Sequence, residues 1–287
     1  MSEQSKDFCF KTDLSADEYH HMPGLSSSIA NVLINKSPAH AFHAHPMFGN
    51  HPRVATKDMD KGTMIHTLVL GRGKQIAPLQ FDDWRTKAAR EAREYECSIG
   101  NVPVLACDYD EAFTTASIIT KNLREQEGIE LNGISEVAAF WNELTPRGPV
   151  ACRGQFDHAW IGDNSAVILD LKKCMDASKN AIERSAERYG YALQAAAYRR
   201  AVTMIRPDLA GRIKFKFAFV ELEKPYAMNV VEPDGMFAEL GEQRWFNAVN
   251  LWAECLYTGK WPAYSDKYIS APPWALNKLI SEMEDAA

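Results

Sequence analysis

The spacing of hydrophobic positions changes period near residue 130. Before it, apolar residues recur every three or four positions, the signature of helices with one buried face. SSSIANVLI follows Pro23-Gly24 with serine caps and then apolar spacing, which predicts a helix from Ser26 to Leu33. KGTMIHTLVL places Met64, Ile65, Leu68 and Val69 on one helical face and meets a stop at Gly71, which predicts a helix over Lys61–Leu70. Residues 82–96 and 109–126, rich in strong helix formers, predict two more. Between the first two helices, Pro38, Pro46 and Pro52 are interleaved with histidines, six of the chain's eight falling in residues 20–51, and this stretch reads as irregular polar structure.

Beyond residue 130 the pattern turns extended. Glu136–Leu144 is apolar and aromatic and reads as a strand. Ala151–Ile161 and Ala166–Lys172 flank the turn Gly162-Asp163-Asn164-Ser165 and read as two arms of a β-hairpin. A helix over residues 189–204, an alternating strand over Arg212–Glu221 and a long helix over 234–258 complete the pattern. The order predicts an α/β fold with a central mixed sheet flanked by helices. With no repeat or low-complexity linker, residues 1–287 read as a single domain. Its parts are a helical portion of about 1–130, a sheet core of about 131–225, and a C-terminal helix and tail of about 226–287.

Composition narrows the function classes. Hydrophobic residues at 46% and charged residues at 24% are ordinary for a soluble protein. The sequence has neither an apolar run long enough to span a bilayer nor a basic segment leading into an apolar one at its start, so a cytoplasmic protein is expected. Cys9, Cys97, Cys107, Cys152, Cys174 and Cys255 are scattered, whereas a zinc or iron–sulfur site needs clustered thiolates; reduced cysteines and no iron–sulfur cluster are expected. The net charge of −6 excludes a protein that simply coats DNA, but not an enzyme with a basic channel and an acidic metal site.

The candidate chemistry lies in the hairpin. Asp157 is on its first arm, Asp170 ends the apolar run of the second, and Lys172 follows two residues on, so Asp170 and Lys172 share a face of the strand. Two carboxylates form a hard oxygen site for Mg²⁺ or Mn²⁺, and a lysine at its edge can position water or stabilise charge developing on a phosphate. A charged Asp at the end of a buried strand also calls for a partner.

GQFDH, AVILDLKK and QAAAY together resemble the PD-(D/E)xK nuclease superfamily, and within it the RecE-type exonucleases of the RecB-like branch. That group has a histidine in an early helix, a glutamate, an aspartate on one strand, D-x-K on the next, and Q-x-x-x-Y on the following helix. The matching positions are His66 in GTMIHTLVLG, Glu136 in SEVAAFW, Asp157, Asp170 with Lys172, and Gln194 with Tyr198, in that order over roughly residues 25–222. The resemblance implies that Asp157, Asp170, His66 and the Leu171 carbonyl hold Mg²⁺, with Mn²⁺ able to substitute. It implies that Glu136 supports bound water or a second ion, that Lys172 acts on the attacking water, and that Gln194 and Tyr198 support the site and touch DNA. It further implies 5′-to-3′ digestion of linear duplex DNA to leave 3′ overhangs, a ring of three or four copies, and a RecT-like single-strand annealing partner. The lack of clustered cysteines places the chain with the cluster-free relatives.

For DNA contacts, the basic stretch WRTKAAR offers Arg85 and Lys87, although a solvated helix with Arg–Glu pairs explains it as well. Ser27 and Ser28 could present amides to a terminal phosphate or serve as plain caps. Competing readings are a structure-specific or single-strand nuclease of the same superfamily, a catalytically inactive DNA-binding protein, and a histidine-rich metal module in residues 20–51.

Overall fold

The structure is a computed structural model that describes residues 8–14, 16–48, 61–264 and 270–285. The chain runs β1 (Cys9–Lys11), α1 (Ala16–His21), α2 (Ser27–Asn35), α3 (Pro38–Ala44), α4 (Lys61–Leu70), β2 (Ile76–Leu79), α5 (Lys87–Ser98), β3 (Val102–Leu105) and α6 (Ala106–Glu127). It continues with β4 (Ile134–Thr145), β5 (Gly148–Ile161), β6 (Ala166–Cys174), α7 (Lys179–Tyr189), α8 (Tyr191–Ile205), β7 (Ile213–Glu221), β8 (Met228–Val231), α9 (Gly235–Thr258) and α10 (Pro273–Asp285). No helix among the described residues is long and apolar enough to cross a membrane.

Six strands form one sheet in the order β1-β4-β5-β6-β7-β8. All neighbours are antiparallel except β6 and β7, which run parallel because α7 and α8 carry the chain between them. β2 and β3 pair separately, in parallel. The mixed sheet is the one the hydrophobic pattern predicts.

Period-two alternation splits the core into layers. On β7, Phe215, Phe217 and Phe219 pack with α2, α8 and α9, while Ala218 and Val220 pack with α4 and α6 on the other side. On β6, Ala166 and Ile168 join the first layer and Leu169 and Leu171 the second. Asp170 and Lys172 continue the Ala166–Ile168 register and so meet α8. A buried carboxylate fixes α8 and α9 to the sheet: Glu143 accepts hydrogen bonds from Trp141 Nε1 (3.0 Å), Trp245 Nε1 (3.1 Å) and Arg200 Nε (3.0 Å).

Several elements depart from the pattern-based expectation. The proline-rich stretch holds a helix, α3, because Pro38 sits in its first turn, where a missing N–H costs nothing, and Ser37 accepts from the His40 amide. His51 and Pro52 lie outside the described residues. The basic helix starts at Lys87 rather than at residue 82, capped by the Thr86 side chain on the Ala89 amide. The helix expected over 189–204 starts at Tyr191. Tyr189 ends a separate helix, α7, whose polar exterior hides a short apolar stripe of Ile182 and Ala186. Gly190, at φ +72°, makes the break.

Candidate active site

The β5–β6 ladder pairs His158 with Leu169 and ends there. Immediately beyond, Asp157 and Asp170 stand where the two strands part. The parting leaves the Leu171 amide to donate to the Asp157 carboxylate at 2.7 Å. Asp157 is thereby fixed by backbone, and charge-assisted bonds of this kind are about twice as strong as neutral ones.

Glu136 arrives from β4. Ser135 pairs with His158 and Val137 with Phe156, so Glu136 lies opposite Asp157. Its φ of +53° is left-handed, an uncommon conformation for a residue with a Cβ and one that collects at functional sites. His66 reaches in from α4, with Nε2 3.3 Å from Asp157 Oδ2 and Nδ1 3.7 Å from Glu136 Oε1. One ligand atom from each of His66, Glu136 and Asp157 lies within 4.8 Å of the others, close enough to share one ion.

Beside this trio is a second unit. Lys172 Nζ lies 2.5 Å from Asp170 Oδ2 and donates to Gln194 Oε1 at 3.1 Å, while Gln194 Nε2 donates to Asp170 Oδ1 at 2.7 Å. Asp170 is 2% exposed. Its Oδ2 has the lysine charge beside it but no hydrogen bond of good geometry, so a buried acceptor keeps unused capacity. Tyr198, one turn beyond Gln194, is buried against Phe156 with ring centroids 4.9 Å apart. Gly154 admits the Tyr198 ring, since a Cβ there would stand 3.1 Å from it.

The electrostatics describe a cluster with too much negative charge. Burial, reinforced by the Asp157 charge, pushes Glu136 up to about 7. Burial and Asp157 likewise push Asp170 up to about 6, against the pull of Lys172. Burial also raises Asp157, but the hydrogen bond and charge of His66, the Lys172 charge and the Leu171 amide outweigh it, and Asp157 is held low. Burial opposes the charged forms of His66 and Lys172, yet the surrounding carboxylates win and hold both above their usual values. Three carboxylates that resist shared ionisation, an imidazole between two of them and an unsatisfied carboxylate oxygen fit a hard divalent cation. His66, Glu136 and Asp157 are the residues arranged to hold it. Asp170, which the sequence suggests as a ligand, stands beside the trio, its Oδ1 held by Gln194 and its Oδ2 next to Lys172 with acceptor capacity to spare, and Glu136 joins His66 and Asp157 as a further carboxylate.

Two grooves border the cluster. One, of about 440 Å³, is lined by Ile65, His66, Lys172, Lys173, Tyr189 and Tyr191 among others. The other, of about 270 Å³, includes Ser27, Ser28, Arg153, Gln194 and Tyr198, and Tyr189 borders both. Ser27 and Ser28 therefore lie beside the site, at the start of a helix that Ser26 caps through the Ile29 amide. Arg85 and Lys87 are exposed, beside Asp83 and Glu91, and line neither groove. Sequence reasoning passed over Arg153, a buried arginine in CRGQFDH that donates to the Gly24 and Tyr19 carbonyls, and over the tyrosines flanking Gly190. A charged residue inside an apolar strand and a Y-G-Y triplet were the available signals. A separate cavity of about 580 Å³ lies between α8 and α9, and the Glu143 carboxylate at its floor is already hydrogen-bonded.

Comparison with known proteins gives a family and a related fold. A family model described as a PDDEXK-like domain of unknown function (DUF3799) matches residues 32–270. No curated protein matches the chain. Among solved structures, a candidate exonuclease from Eubacterium rectale has a similar fold, with TM-score 0.55 at 11% identity over 97% of this chain and 98% of its own. SSO0001 is more distant, at TM-score 0.28 and 12% identity over 65% of this chain and 85% of its own. Candida albicans Rai1, solved with pU5-Mn²⁺, gives TM-score 0.29 and 10% identity over 77% and 66%.

Proposed function

Because the chain belongs to this PDDEXK-like family, whose model spans most of its length, we propose that it is a metal-dependent deoxyribonuclease acting at the ends of linear duplex DNA. The observation that carries the reading is the pairing of two units in one cluster. A His66–Glu136–Asp157 trio has ligand atoms within 4.8 Å of one another, and beside it the Lys172 ammonium is braced by Asp170 and Gln194.

His66, Glu136 and Asp157 would hold Mg²⁺, with Mn²⁺ as a substitute, and the unsatisfied Oδ2 of Asp170 and the Leu171 carbonyl are further candidate donors. Such an ion supplies Lewis acidity toward the phosphate and lowers the pKa of water. Lys172 keeps its proton on Nζ, because Asp170 and Asp157 outweigh its burial, so it serves as a fixed cation and hydrogen-bond donor rather than as a base. Its place is against the charge that builds on the phosphate, or on the attacking water. Gln194 holds Asp170 and Lys172 in register, and Tyr198 packs beneath that contact. Ser27 and Ser28, at the start of α2, line the groove beside the site and would receive a strand-end phosphate.

The fold likeness to a protein described as a candidate exonuclease supports an end-dependent activity. Within this reading the enzyme is RecE-like. It digests one strand 5′ to 3′, leaves a 3′ overhang for a RecT-like annealing protein, and works as a ring of three or four copies.

The test is digestion of linear, 5′-phosphorylated duplex DNA with Mg²⁺ beside a closed circular control, for wild type and Lys172→Ala. Loss of the linear DNA alone, abolished by the substitution, is expected. Cutting of the circle would make the protein an endonuclease, and no cutting with Mg²⁺ or Mn²⁺ would overturn the nuclease reading.

A further inference from the structure

An exposed tyrosine stands beside the cluster, with the Arg188 guanidinium 5.5 Å from its ring centroid. Tyr189 is 54% exposed at the last position of α7, on the ridge between the two grooves that border the site. Its ring stacks with that of Tyr191, with centroids 5.8 Å apart and planes 28° from parallel. Tyr191 in turn packs on Phe217 at 5.5 Å and Phe219 at 6.0 Å, both buried in the sheet. Aromatic rings thus run from the core to solvent. Lys172 Nζ sits 4.7 Å from the Tyr191 ring centroid, so the same ring that floors the exposed step also touches the catalytic lysine.

The backbone packs closely at this step. Gly190 breaks the helix between the two tyrosines at φ +72°, and a Cβ there would stand 2.1 Å from Asn31 Oδ1. Asn31 of α2 also donates to the Tyr189 carbonyl at 3.4 Å. The groove under the step, about 440 Å³, has an apolar floor that includes Ile65, Leu171, Val220 and Leu222, and Lys172 and Lys173 line it. A flat apolar surface flanked by ammonium groups is complementary to one chemistry in particular, an aromatic base attached to a phosphodiester.

We propose that Tyr189 and Tyr191 form a stacking platform for an unpaired nucleobase of the strand being cut, seated beside the phosphate that Lys172 contacts. The proposal rests on the nuclease reading and adds to it that the bound strand end is single-stranded at the site, one base being lifted out of the duplex onto the Tyr189 ring. Every base has a π face, so the platform is indifferent to sequence. Tyr189 is a binding residue, and losing it should weaken substrate capture without slowing the bond-breaking step. Base–aromatic stacks contribute about 1–3 kcal/mol by alanine substitution, which converts to roughly five- to 150-fold in binding.

The experiment uses the full chain with 5′-phosphorylated duplexes carrying 2-aminopurine, or an abasic site, at each of the terminal positions in turn. Wild type, Tyr189→Ala, Tyr189→Leu and Tyr189→Trp are compared. The exposure of Tyr189 makes these variants tolerable to the fold, which thermal melting would check. With Ca²⁺ in place of Mg²⁺, 2-aminopurine emission should be quenched at one position by wild type and Tyr189→Trp and not by the alanine or leucine variants. With Mg²⁺, Tyr189→Ala should raise KM about tenfold at unchanged kcat, and an abasic site at the quenched position should erase the difference from wild type. Equal quenching and equal KM for wild type and Tyr189→Ala, with both still digesting DNA, would overturn the platform and leave the nuclease reading standing. Failure of every form to bind or cut DNA would remove both.

Discussion

At the scale of single residues, the site is a balance of charges that no one group satisfies alone. Asp170 is buried and relies on Lys172, so Lys172→Ala removes a hydrogen-bond donor and also leaves a buried carboxylate without its cation. We expect DNA cleavage to fall by on the order of a hundred- to a thousandfold, measured as initial rate on linear duplex, with a lowered Tm. Wild-type cleavage by that variant would remove Lys172 from the mechanism. Glu136 gives a pH signature. Its folded value of about 7 lies above the ordinary 4.5 of a glutamate, so the folded chain binds that proton more tightly than the unfolded one. Its contribution to stability is fully present below about pH 4.5 and is lost as pH rises toward 7. Glu136→Gln should therefore raise metal-free stability at pH 8 by about 1–3 kcal/mol, read as a higher Tm, and leave Tm almost unchanged at pH 5. In the wild type the Tm gain from added Mg²⁺ or Mn²⁺ should grow over the same interval, and a pH-independent gain would show that Glu136 is not a ligand. Asp170 with Lys172, and Gln194 with Tyr198, were legible in the sequence because their spacing is local, two along a strand and four along a helix. The contact between His66 and Glu136 was not, because it depends on how α4 crosses a strand 70 residues later.

At the scale of elements, the site depends on how closely α8 sits on its neighbours. Gly241 of α9 lies against α8 so tightly that a Cβ would stand 2.1 Å from the Ala192 carbonyl oxygen, two residues before Gln194. Gly241→Ala must push the helices apart, and a loss of about 3 kcal/mol is expected, read as a Tm lower by several degrees and a reduced kcat. An unchanged melt would mean that α9 moves freely over α8. The main helices and the β5–β6 hairpin were visible in the hydrophobic period, which reports which face is buried. The break at Gly190 was not, since apolar spacing runs through it and only the left-handed backbone of the glycine separates α7 from α8. α3 was missed for the opposite reason. Proline and histidine read as irregular, although a proline in a first turn is compatible with a helix.

At the scale of the whole molecule, the acidic net charge of −6 and a DNA substrate are compatible only if the cations are placed rather than plentiful. Lys172, Lys173 and Arg153 border the grooves, whereas Arg85 and Lys87 lie away from them, so Arg85→Ala should leave digestion within about twofold of wild type at moderate salt. A larger loss would place a DNA path along α5. The proposed ring is checked by light scattering of the purified chain, where three or four copies are expected and a monomer would exclude it. Overall architecture was legible because a mixed sheet follows from the order of periods. The joining of two separate layers at the site was not, and it sets how the molecule moves. His66 belongs to the helix layer of α4 and α6, while Glu136 and Asp157 belong to the sheet, so any ion shared by the three fastens one layer to the other. Ligand binding protects the parts whose opening it opposes. Amide hydrogens of α4 should therefore exchange with solvent more slowly once Mn²⁺ is added, while those of β6, already enclosed between two strands, keep their pace.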